Sequence, residues 1–232
     1  MNDTLKITNV LNDSTRLSIY EYISQKHDVV NVQEIAKQFK IHPNVARLHL
    51  TKLEDIGMVN SYLQKNQKGG RPYRIYQLSD ELVQLQFPFR DYQSLAKIAI
   101  ESLVGLGEPG KQALYETGKK FGSHFLNSKY RNVTVHQQTN EQKINILRET
   151  SVMLGLEPEF NYDETAQVIS FSIFNCPFKE LAFSEQNENI CEMHRFFIRG
   201  MFEQLFPSVT LEEEANMVDG CEACMYKTKL SV

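Results

Sequence analysis

Along the first eighty residues apolar positions recur at helical spacing and then switch to alternation. Leu17, Tyr20 and Ile23 share a face behind Asp13 or Ser14, either of which can cap a first helix. In NVQEIAKQF, Val32, Ile35, Ala36 and Phe39 keep the same period and predict a second. Ile41 and His42 make a tight connection. Pro43 suits the first turn of a third helix, where its missing N–H has nothing to pair with anyway. That helix, PNVARLHLTKLEDI, stops at Gly57. Ala46, Leu50 and Leu53 lie at i, i+4 and i+7 and turn inward, leaving Asn44, Arg47, Leu48 and Thr51 on the opposite face. Two strand-like runs, MVNSYLQ and RPYRIYQLS, then flank KNQKGG, where Gly69 and Gly70 permit a tight turn.

Helical spacing returns after Ser79. DYQSLAKIAIESLVGL sets Leu95, Ile98, Ala99 and Leu103 on one stripe, suited to the domain core or, as a reader of pseudo-palindromic DNA favours, to the same helix of a second subunit. Gly105, Gly107, Pro109 and Gly110 predict a flexible joint. KQALYETGKKFGSHFL and NEQKINILRETSVMLGL read as amphipathic helices, the second stopping at Gly155. PEFNYDETAQVISFSIFNCPF alternates about an acidic turn and predicts a hairpin; CEMHRFFIRGMFEQLF predicts a helix and MYKTKLSV a last strand. The expected architecture is α+β and largely helical. It comprises a winged helix–turn–helix domain over residues 1–80, a linker or dimerisation helix over 81–110, and an α+β sensor domain over 111–232.

Charge sharpens this division. Residues 1–78 hold 11 Lys and Arg against 7 Asp and Glu, and the remainder holds 14 against 22. The net charge of −4 therefore hides a basic beginning on an acidic body. An exposed helix start bearing amide, guanidinium, methyl and hydroxyl groups is suited to reading base edges in a major groove. Lys65, Lys68, Arg71 and Arg74 crowd the hairpin tip, where they would meet phosphates. The DNA-contact candidates are Asn44, Arg47, Leu48, Thr51, Lys68, Arg71 and Arg74, and the expected ligand is a double-stranded, pseudo-palindromic operator bound by a homodimer.

Several function classes drop out. GLGEPGK lacks the glycine spacing and the Ser or Thr of a phosphate loop. No Ser/His/Asp set or paired carboxylates stand out, so no catalytic residue is assigned and an enzyme is not expected. His124 and His136 are isolated and read as surface or packing residues. No apolar run approaches the roughly 20 residues that span a bilayer, and the start lacks a secretory signal, so the expectation is a cytoplasmic protein with reduced thiols and no membrane partner.

All four cysteines stand late in the chain, as C-x14-C-x29-C-x2-C: Cys176, Cys191, Cys221 and Cys224. They fall at a strand end, a helix start and a turn, positions from which thiolates can converge. A helix start at Cys191 would also stabilise a thiolate through its N–H dipoles. Four soft ligands suit zinc or an iron–sulfur cluster, and a Cys221–Cys224 pair also suits a thiol switch. His194, one turn after Cys191, is a further candidate ligand, although at this spacing a helix-surface residue or a hydrogen-bond partner is the more ordinary reading. Met193, Phe196, Phe197, Phe202 and Phe206 read as core packing.

HPNVARLHLTKLEDIGMV and GGRPYRIYQLS resemble, in order, spacing and basic tip, a winged helix–turn–helix repressor domain of the ArsR/DeoR type. NCPFKELAF, ICEMHRFFIRGMFEQLF and GCEACMYK resemble the carboxyl-terminal sensor region of the SufR family, winged-helix repressors whose cluster state reports on iron–sulfur supply. That resemblance implies a homodimer with one [4Fe–4S] cluster per subunit, controlling cluster-assembly genes and repressing when loaded. It implies Cys176, Cys191 and Cys224 as ligands, with Cys221, His194 or a non-protein group in the fourth place.

Overall fold

The computed structural model describes residues 2–65, 72–80, 82–130, 138–183, 188–206 and 209–230. The chain is α+β, mostly helical with two small antiparallel sheets. It divides into two units, residues 1–90 and 91–232. The segment read as a connector thus splits between them, its predicted helix going with the second.

The first unit runs α1 (Asn2–Leu11), α2 (Ser14–Lys26), β1 (Val30–Asn31), α3 (Val32–Gln38), α4 (Pro43–Glu54), β2 (Val59–Gln64) and β3 (Tyr73–Leu78). Its helix starts are fixed by side chains that satisfy orphan N–H groups. Asp13 accepts from Arg16 N, Asn31 from the N–H groups of Gln33 and Glu34, and the His42 ring from Asn44 N ahead of Pro43. Ile19, Ile35, Ala46, Leu50, Leu53 and Val59 are wholly buried, each large one contributing about 1.5–3 kcal/mol. β3 lies between β1 and β2, with β2–β3 register running from Val59 opposite Leu78 to Gln64 opposite Tyr73. Helix α1 and strand β1 were not predicted. The hairpin tip, with Lys68, Gly69, Gly70 and Arg71, lies outside the described residues.

The second unit runs α5 (Tyr92–Gly105), α6 (Glu108–Lys129), α7 (Asn140–Met153), β4 (Pro158–Asp163), β5 (Val168–Ile173), α8 (Lys179–Phe183), α9 (Glu188–Glu203), β6 (Glu212–Ala215) and β7 (Cys224–Lys229). Its sheet has the order β4-β5-β7-β6, antiparallel throughout. Phe171 is stacked with Phe160, Phe202 and Tyr226, joining sheet and helix α9 in one core. The predicted flexible joint is instead a tight elbow. Gly107, at φ 73°, caps α6, Pro109 sits in its first turn, and Gly110 is pressed on the Leu103 carbonyl.

Two features of this unit bear on function. Helix α5 buries none of its residues, and Leu95 and Ile98 are each 62% exposed. Helices α6 and α9, by contrast, meet backbone to backbone: a Cβ on Gly118 would strike Met193, one on Gly122 the Phe197 carbonyl, and one on Gly200 the Lys119 carbonyl. Among the described residues no helix is long and apolar enough to cross a membrane.

Candidate cysteine centre and exposed helix face

Each cysteine is delivered by a different piece of the second unit. Cys176 follows β5 by three residues, in the turn closed by Lys179 N–H on the Cys176 carbonyl. Cys191 lies in the first turns of α9, which begins three residues earlier than predicted, at Glu188. Cys224 opens β7, opposite Ile173 of β5. All are free thiols; Cys224 is buried, Cys176 and Cys191 half-buried and Cys221 exposed. Cys176 stands near enough to Cys191 and Cys224 to feel their charge, as Cys191 does Cys224. Cys221 lies beside Cys224 on the outside.

Polar groups from the intervening loop are turned on these sulfurs. Met217 N–H donates to Cys224 Sγ at 3.4 Å, and the Cys224 thiol reaches Asn216 Oδ1 at 3.8 Å. The Asn216 side chain also hydrogen-bonds Cys191. Asn216 is itself held, accepting from Val218 N–H at 3.0 Å and donating to Glu213 at 3.2 Å. Tyr226, two residues along β7 and on the same face as Cys224, brings its hydroxyl to that sulfur.

Burial dominates the protonation of the site. It pushes the Cys176 thiol up to about 12 and raises Cys191 and Cys224 as well. Burial thus works against the thiolate expected at Cys191. Desolvation outweighs the dipole, and the thiol stays neutral until something replaces its proton. Of the two ordinary readings of His194, the structure favours the hydrogen-bond partner over the surface residue: it is buried, with Nδ1 3.5 Å from Cys176 Sγ and Phe178 edge-on to its ring at 5.1 Å. Burial lowers its pKa to about 4, so at neutral pH the imidazole is uncharged.

This donor set fits an iron–sulfur cluster in kind: soft thiols from three elements in apolar surroundings, with N–H groups directed at sulfur. Among the described residues no group of three or more His, Cys, Asp or Glu side chains is placed to hold a single metal ion. A cluster puts irons and sulfides between its thiolates, so it spreads them wider than one ion does.

In the first unit, the predicted face of α4 is outward. Asn44, Arg47 and Leu48 are exposed and Thr51 half-buried, and Arg47 donates to Asn44 Oδ1 at 3.2 Å. Arg74 is exposed but leans on Glu54, 3.7 Å away, which also accepts from Ser61. Lys68 and Arg71 fall outside the described residues. His124 is exposed, as expected, and His136 lies outside the described residues.

Three residues of the cysteine centre were missed by sequence reasoning: Asn216, Met217 and Tyr226. The NMVDG run, an Asx cap before a glycine at φ 87°, was the available signal for the turn. Elsewhere in the unit a cleft of about 670 Å³ opens between α7 and β4, lined by Tyr130, Glu141, Arg148, Glu149, Phe160 and Tyr162.

No protein-family model matches this chain, and no curated protein matches it. Among solved structures, a trafficking protein particle complex subunit 3 from Naegleria fowleri, covalently bound to palmitic acid, is similar at 14% identity and a TM-score of 0.42, over 61% of this chain and 91% of that one. A likeness of that size carries no argument about this chain.

Proposed function

We propose that the chain is a homodimeric transcription repressor whose hold on a pseudo-palindromic operator responds to an iron–sulfur cluster, controlling cluster-assembly genes. One observation supports this reading: three thiols, each from a separate element and each with its pKa raised by burial, influence one another's ionisation, with a peptide N–H and a carboxamide oxygen turned on Cys224. In this reading Cys176, Cys191 and Cys224 hold a [4Fe–4S] cluster, with Cys221, His194 or a non-protein ligand in the fourth place. When bound, the cluster supplies a cross-link among the three elements that is sensitive to oxygen and iron supply.

The chain's own parts do the rest. The first unit acts as a winged helix–turn–helix, supported by the order of α2, α3, α4 and the β2–β3 hairpin and by the polar outer face of α4. A second copy covers the apolar stripe of α5, on which Leu95 and Ile98 are exposed among the described residues. Helix α9, bearing Cys191, is keyed to α6, which runs into α5 through the elbow at Gly107. A change at the thiols thereby biases how two paired subunits present their reading heads, a shift of population between orientations.

Purification without air, followed by iron, sulfide and zinc analysis and operator titration, tests the reading. Iron and sulfide in equal amounts, with operator affinity that falls on cluster removal, are expected. Equal affinity with and without the cluster defeats the mechanism. Zinc in place of iron favours a zinc-stabilised regulator, and a reversible Cys221–Cys224 disulfide without metal favours a thiol switch. The cleft beside α7 supports a second reading, a regulator that answers to a small molecule, since its volume is ample for one. Stabilisation of metal-free protein by metabolite mixtures, lost in Arg148→Ala, would favour that reading.

A further inference from the structure

The loop between β6 and β7 does more than connect them. Asn216 opens a 3-10 turn, Met217–Asp219, that Gly220 closes at φ 87°. Its carboxamide is used on every side: the oxygen accepts from Val218 N–H at 3.0 Å and lies 3.8 Å from Cys224 Sγ. The nitrogen donates to Glu213 Oε1 at 3.2 Å, and the same side chain reaches Cys191. The turn it caps aims Met217 N–H at Cys224 Sγ, 3.4 Å away. One polar residue, only 9% exposed, thus touches two sulfurs delivered by different elements.

We propose that Asn216 is a positioning residue for the thiol pair Cys191 and Cys224, and that the cradle formed by its carboxamide and the Met217 N–H sets the reduction potential of the group those sulfurs ligate. The inference rests on the cluster reading above. Met217 N–H donates to Cys224 and stabilises the electron-rich, reduced state, whereas Asn216 Oδ1 accepts from the Cys224 thiol and opposes that sulfur once it ligates without its proton; a full negative charge at position 216 lowers the potential further. A residue that merely caps the turn would be replaceable by another capping residue.

The experiment exploits that difference. Asn216→Ser keeps a capping oxygen and removes the carboxamide. Asn216→Asp keeps the cap's shape and oxygen and adds a negative charge beside both sulfurs. In anaerobically loaded protein matched for iron content, the potential, read by dye-mediated spectroscopic titration, is expected to shift from wild type in Asn216→Ser and to be lowest in Asn216→Asp. An unchanged potential in both variants overturns the proposal.

Alkylation of metal-free protein by iodoacetamide, mapped by mass spectrometry, separates this proposal from the cluster reading. Opening the cradle with Asn216→Ala should speed modification of Cys224 severalfold relative to exposed Cys221. If wild type takes up no cluster, the cluster reading fails and the alkylation ratio alone decides the cradle. An unchanged ratio then overturns it.

Discussion

Helices α4 and α9 are similar in build and opposite in use. Both follow the same rule, an apolar stripe against a core. On α4 the buried stripe is Ala46, Leu50 and Leu53 with His49 among them, and the face offered outward carries Asn44, Arg47 and Leu48. On α9 the chemistry is set into the stripe, because Ile190, His194 and Ile198 follow at four-residue steps and Cys191 rides beside them. An outward face can be altered at little cost to folding. An inward one ties chemistry to packing, so that each polar atom there needs a hydrogen-bonding group, as His194 Nδ1 has in Cys176.

Breaking each helix's packing should have the largest effect, by opposite physical routes. Leu50→Ala leaves a cavity in the first unit and is expected to cost about 2–5 kcal/mol. Gly122→Ala drives a methyl group into the Phe197 carbonyl and should cost the second unit about 3 kcal/mol. Denaturant unfolding followed by probes in each unit would check both; a Gly122→Ala variant as stable as wild type would refute the close seam.

Exchanging the chemistry sharpens the contrast further. Arg47→Ala is expected to lose about 1–3 kcal/mol of preference for the operator over random DNA while iron content stays at the wild-type level. Cys191→Ser should do the reverse, abolishing iron uptake while leaving residual binding to random DNA intact. Filter binding beside metal analysis reads both. A smaller, uniform loss is expected for Lys68→Ala, weakening all sequences alike and reducing the salt slope by about 1.

The smallest effect concerns a buried histidine of the first unit. His49 is turned inward on α4, its Nδ1 buried without a hydrogen bond and 3.9 Å from Asp13. Desolvation holds its pKa below the ordinary value, against the pull of Asp13. The unfolded chain therefore takes up this proton first. Its stability penalty is absent above about pH 6.5 and grows as the pH falls below that. His49→Leu should flatten the acid side of the first unit's stability profile, measured by unfolding between pH 7 and 5.

What the sequence made legible follows from how local each signal was. The cap at Asp13, Pro43 at the start of α4 and the alternation in β5 are decided by residues close in sequence, and they read correctly. Strand β1 has two residues, and β6 is the acidic EEEA, which looks like a solvated run; both exist because a longer strand lies alongside. The centre was legible in its cysteines but not in Asn216 or Tyr226, whose roles arise only when β7 folds against the loop before it. The burial of His194 was readable from its place between Ile190 and Ile198.

The glycines at 118, 122 and 200 act as notches cut at fixed intervals in two rods. Sliding one helix along the other by even one residue would bring a side chain where only a bare Cα fits, so translation along the axis is blocked. What is left to α9 is to tilt or to roll about its contact with α6. Any message from the sulfur end of that helix must then travel as a change of angle, and its reach grows with distance from the pivot.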